Sequence, residues 1–162
     1  MNVNNLAFYI GKSSNSNVTI YSYNIADEKN NLIDLFQPLD YYWIMREKED
    51  SPREDLTFIE KTIYSYKIVT SDPNDIAIKI NALPDDTIHI QKIDNKYHAV
   101  VSLPDANNNH KDVYLKKVFC HLSGTLGTFV ESIDIIYQDP DTKKLHTLSR
   151  SEGKGLDSLT KK

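Results

Sequence analysis

Thiol chemistry is nearly absent from this chain: of 162 residues only Cys120 is a cysteine. A lone cysteine excludes an intramolecular disulfide and any multi-cysteine zinc motif, and it suits a reducing compartment. Long apolar runs are missing as well, and none approaches the ~20 residues that a membrane-spanning helix requires. The opening M-N-V-N-N-L-A-F-Y-I has neither a basic start nor an extended apolar stretch, so no export signal is expected. Excess positive charge is also lacking. Lys and Arg total 19 against 23 Asp and Glu, a net charge of −4. Such a chain has no general attraction to phosphate backbones, which argues against nucleic acid as a partner. The expectation is a soluble, cytoplasmic protein without membrane contact.

What is present is ordinary globular composition, 40% hydrophobic, 26% charged and 10% aromatic. The length fits one domain. A chain of this size buries roughly two-thirds of its unfolded surface and needs no staple to fold. The expected domain runs over residues 1–148, and residues 149–162 form a polar, glycine-containing tail.

Alternation dominates the pattern, cut by polar turns. Val18, Ile20 and Ser22 alternate with Thr19, Tyr21 and Tyr23. An aromatic strand, Tyr41 to Glu47, puts Tyr41, Trp43 and Met45 on one face and Tyr42, Ile44 and Arg46 on the other. Ser51-Pro52-Arg53-Glu54 has the signature of a helix start, and Leu56, Ile59 and Ile63 recur at helical spacing. This predicts an α-helix near residues 52–64, then a strand from Tyr66 to Thr70. Further strands are expected at Ile76–Leu83, Thr87–Ile93 and Lys96–Leu103, with Pro84-Asp85-Asp86 as a turn. Asp94-Asn95 is a tight hairpin turn, because both residues tolerate positive φ. That register sets Ile90 opposite Ala99 and Ile88 opposite Val101. Val113–Leu122, Phe129–Tyr137 and Leu145–Leu148 complete the set. The fold class is mainly β: an antiparallel up-and-down barrel or two-sheet sandwich of about 8–10 short strands with one helix.

The run Y-Y-W-I-M-R-E-K-E-D (41–50) followed by D-L-T-F-I-E-K-T-I-Y-S-Y-K-I (55–68) resembles the core of an uncharacterised family, domain of unknown function 4833. That family has a V-Y-W-I-R-type strand, an acidic turn and an L-x-x-I-Q-x-x-x-A-Y-type segment. The opening L-A-F-Y-I-G-K-S-S-N-S-N-V-T-I-Y-S-Y-N and the stretch from Phe129 to Lys144 resemble its first and closing segments. Departures are Met45 and Lys12, where Arg is usual, and Ser65-Tyr66 in place of A-Y. Bacterial members carry export signals that are not seen in this sequence. The resemblance implies a β-rich single domain and supplies no activity.

Few residues assemble into chemistry. His89 and His98 share a face of the predicted hairpin, but no third ligand is fixed by spacing, so no metal site is expected. Cys120 and His121 point to opposite faces and do not form a nucleophile–base couple. Ser123-Gly124-Thr125-Leu126-Gly127-Thr128 lacks the lysine and helix of a phosphate loop and is expected to be a connection. The carboxylates between Glu47 and Asp55 do not match a calcium loop and suit a solvated turn. The aromatic residues are the better lead, since so many tyrosines exceed what one core satisfies. Tyr41, Trp43, Arg46, Tyr64 and Tyr66 are the expected ligand-binding residues, with Arg46 as an anion anchor. The expected function is a non-enzymatic module binding a small ligand or a protein, without a cofactor. The alternative is a small barrel-type isomerase or hydrolase using His89, His98 or His121 with a carboxylate.

Overall fold

In the computed structural model, residues 3–45, 53–56, 61, 63–123 and 129–154 are described. The alternating segments form strands. β1 (Leu6–Lys12), β2 (Asn15–Tyr23) and β5 (Leu39–Ile44) make one arm, extended by the short β6 (Arg53–Glu54). β7 (Tyr66–Asp72), β8 (Asp75–Ile80), β9 (Leu83–Ile93) and β10 (Lys96–Pro104) make a second arm. β11 (His110–Ser123), β12 (Phe129–Gln138) and β13 (Leu145–Lys154) follow, and β3 (Ile25–Asp27) pairs with β4 (Leu32–Ile33) in a small separate sheet. The large sheet has eleven strands and curls into a half-barrel, so the fold is mainly β.

β11 is the strand on which both arms meet. Its first residues pair antiparallel with β10, from Pro104 opposite His110 to Val100 opposite Tyr114. Further along it pairs with β1, from Tyr9 opposite Lys117 to Lys12 opposite Cys120. A bulge between Leu115 and Lys117 in the β11–β12 pairing lies where one neighbour gives way to the other. The β1–β11 pair is parallel, the exception to the expected antiparallel neighbours. Parallel partners need a long connection, and these two are separated by most of the chain. Gly11 sits opposite Phe119 there, and a Cβ on it would lie 3.2 Å from the Phe119 ring.

The two faces of the sheet are filled as the alternation requires. Phe8, Tyr21, Ile78, Ile88, Ile90, Val101, Leu115 and Val118 belong to the inner core. Val18, Ile20, Tyr42 and Ile44 form a smaller cluster on the other face. The β9–β10 hairpin has the predicted register, Ile90 opposite Ala99, and its turn residues Asp94 and Asn95 have φ of 51° and 64°.

Three expectations are corrected. The helix near 52–64 is not formed at its start: Arg53–Glu54 is strand β6, pairing with Trp43 and Ile44. Helical conformation in that stretch is confined, among the described residues, to Lys61, Ile63 and Tyr64; residues 51–52, 57–60 and 62 lie outside the description. The open edge of β5 offers backbone partners, and the Arg53 guanidinium lies 3.8 Å from the centre of the Tyr42 ring, which together outweigh the capping signal. Pro84-Asp85-Asp86 is strand rather than turn. The chain reverses at Asn81-Ala82, where the Ala82 N–H donates to the Ile63 carbonyl at 2.9 Å. Asp86 points inward, where Arg150 of β13 holds it with its two terminal guanidinium nitrogens. Finally, β13 continues past Leu148 to Lys154.

Candidate functional site

β5 and β7 lie toward opposite ends of the main strand path, with β6 outside β5. No backbone ladder joins them, yet curling brings their side chains together. The Tyr66 hydroxyl accepts from the Leu39 N–H at 3.2 Å and donates to the Leu39 carbonyl at 2.8 Å. Tyr41 meets Tyr66 edge to face, with centroids 5.9 Å apart and planes at 79°. Tyr41 in turn faces Tyr21 at 6.3 Å, and Tyr21 stacks on Phe8 at 4.4 Å. A row of rings therefore runs from β1 through β2 and β5 to β7 and seals the seam of the half-barrel.

Of the expected site residues, the structure brings Tyr41, Trp43, Tyr64 and Tyr66 to this seam. Trp43 shares the inward face of β5 with Tyr41 and donates its indole N–H to the Asp55 carbonyl at 3.2 Å. Tyr64 is buried, and its carbonyl accepts the Tyr21 hydroxyl. Arg46 lies outside the described residues. Burial pushes the Tyr21 hydroxyl well above the usual tyrosine range, with Tyr64 adding to the effect. Burial also raises Tyr66, against the opposing influence of its Leu39 hydrogen bond. Both stay neutral donors at ordinary pH. Phe36 is 96% exposed, Met45 53% and Val69 54%.

The histidines are distributed elsewhere. His89 Nδ1 lies 2.8 Å from Asp75 Oδ1 and lines a polar cleft of about 410 Å³ with Asp85, Gln91, Ser102, His110 and Asp112. His98 stacks on Tyr114 instead of meeting His89. No group of three metal-ligating side chains is found among the described residues. Cys120 is buried while His121 is on the other face, as alternation predicts. His121 Nε2 is 2.8 Å from Asp134 Oδ2, and the Ser149 hydroxyl donates to Asp134 Oδ1 at 2.7 Å. The carboxylate stands between hydroxyl and imidazole, so the Ser149 proton is directed at a carboxylate and the hydroxyl is not activated by the histidine. The hydrogen bonds from His121 and Ser149 lower Asp134 below the usual carboxylate range.

Sequence reasoning missed the pairs Asp75–His89, Asp86–Arg150 and His121–Asp134. Each joins different strands, and only the strand pairing specifies them. The one available signal was alternation, which places His89 and Asp75 at nearby positions on one face once β8 is set beside β9.

The fold and the seam define a class: a mainly β half-barrel domain closed by aromatic side chains. The chain belongs to the family described as domain of unknown function (DUF4833), whose model matches residues 8–147. No curated protein matches the chain, and no solved structure matches it. No helix among the described residues is long and apolar enough to cross a membrane.

Proposed function

We propose that this domain is a non-enzymatic binding module that receives a small apolar or planar ligand at the aromatic seam. The observation that supports this reading is the Tyr41–Tyr66 edge-to-face pair, flanked by Trp43, at a junction that no backbone ladder closes. The polar atoms of Trp43 and Tyr66 are engaged with backbone groups, which holds the rings in fixed orientations. Rigid aromatic faces are effective ligand surfaces because little side-chain freedom is lost on binding. Tyr41, Trp43 and Tyr66 remain only partly buried. Tyr64 supports the seam from within, and Arg46 is proposed as an anion anchor on sequence grounds alone. Binding outranks catalysis because, among the described residues, the histidine–carboxylate pairs come with no activated nucleophile.

The test is replacement of Trp43 with Ala in protein produced in the cells that normally make it. The small molecule released on denaturing the wild type should be missing from the variant, while circular dichroism and melting show it folded. A folded Trp43→Ala protein that carries the same molecule at the same stoichiometry places the site elsewhere.

A further inference from the structure

The outer face of the β10–β11 pair carries a concentration of positive charge that the seam does not use. His98 of β10 and Tyr114 of β11 stack there, with centroids 4.5 Å apart and planes at 13°. Lys116 Nζ lies 5.9 Å from the Tyr114 ring centre and Lys143 Nζ lies 5.8 Å from it. Lys96 shares the face of His98, two residues earlier on β10. Lys143 is set by the β12–β13 turn. Its φ is 63°, its N–H donates to the Asp139 carbonyl at 2.9 Å, and Gln138 Nε2 donates to its carbonyl at 3.1 Å. The backbone that presents the Lys143 ammonium is therefore pinned before any ligand arrives.

Among the described residues no carboxylate forms an ion pair with Lys96, Lys116 or Lys143, and the carboxylates of that turn, Asp139 and Asp141, are both engaged by Lys111. Burial and then Lys143 push the Lys116 ammonium down. His98 is lowered first by burial and then by Lys116, Lys96 and Lys143, with only Asp94 acting the other way. A tyrosine face stabilises a single cation only modestly, and it does not offset mutual repulsion among ammoniums.

We infer that this cluster is an oxyanion site for a phosphate group, built on the His98–Tyr114 stack and surrounded by Lys96, Lys116 and Lys143. Lys116 and Lys143 bring their ammoniums to 5.9 and 5.8 Å from the Tyr114 ring centre, and Lys96 acts with them on the stacked His98. Lysine binds phosphate as a point charge, and a phosphate monoester brings close to two negative charges at neutral pH. The neutral His98 ring becomes a further donor once protonated, so anion binding and proton uptake reinforce each other. The site lies on the face of the sheet opposite the seam rings and stands independently of the seam proposal.

The test is an NMR titration of the whole protein with inorganic phosphate, against chloride at equal ionic strength. Phosphate should saturate the His98 and Tyr114 resonances and raise the proton affinity of His98 by about threefold or more, the reciprocal of its preference for the imidazolium form. The double variant Lys116→Met, Lys143→Met should bind at least about tenfold more weakly, while Lys67→Met, on exposed β7, behaves as wild type. Phenyl phosphate distinguishes the source. Tighter binding than inorganic phosphate means a phosphate carried on a planar group, and equal binding means the phosphate group alone is recognised. Absence of a saturable response up to about 10 mM, the range of a weak single-anion site, overturns the inference. So does an equal response in the double variant.

Discussion

At the scale of single residues, the best-organised charge is Asp139 in the β12–β13 turn. Its Oδ2 accepts from Lys111 Nζ at 2.7 Å, and its Oδ1 accepts the Asp141 and Thr142 N–H groups at 2.8 and 3.1 Å. Lys111 first, and then these backbone donors, pull Asp139 from 3.8 down to about 2. A carboxylate depressed in the folded state stabilises the fold above its unfolded pKa, and that contribution is lost as pH falls through the folded value. The turn should therefore keep its native contacts from neutral pH to below pH 3.8 and lose them towards about 2. A carbon-detected NMR titration should find Asp139 near this value, and Lys111→Met should return it towards the usual carboxylate range. Titration at the ordinary value in the wild type would contradict the described geometry. Asp139-Pro140-Asp141-Thr142 specifies a turn locally, because Asp and Pro restrict the backbone. Lys111 as its partner was not legible in the sequence, since it arrives from another strand.

At the scale of elements, the hairpins were the most readable parts. Asp94-Asn95 fixes both turn and register, and the alternation of β2 and β5 separated the residues of their two faces. The stretch after Pro52 was misread because a capping pattern is a local preference, whereas the edge of β5 is a tertiary opportunity that local sequence does not report. The seam shows the same limit. Tyr41 and Tyr66 were both singled out, yet nothing in their separation shows that opposite arms of the sheet meet through them. Their contact makes a specific prediction. Tyr66→Phe keeps the ring and removes both hydrogen bonds to Leu39, which should cost about 1–2 kcal/mol in urea unfolding. Faster hydrogen exchange at the Leu39 amide should accompany it, with the β9–β10 amides unchanged. Unchanged stability together with unchanged Leu39 exchange would mean that the hydroxyl does not hold the seam.

At the scale of the whole molecule, β11 explains how a mainly β chain reaches a half-barrel instead of a closed ladder. One edge of that strand serves two arms in succession, β10 and then β1, and the arms meet again through side chains, Tyr41 and Tyr66 among them. Fold class and family were legible because strand alternation and the aromatic segment survive in the sequence. The parallel β1–β11 pairing was not, because it joins segments about a hundred residues apart and leaves no local trace. A barrel closed by side chains retains an accessible aromatic junction, which is the basis for the proposed ligand site. Native mass spectrometry of the wild-type protein, purified gently from the cells that make it, tests that claim most directly. The account predicts a stoichiometric small mass bound to the folded protein and released on denaturation. A folded protein showing only the mass of its own chain would contradict it.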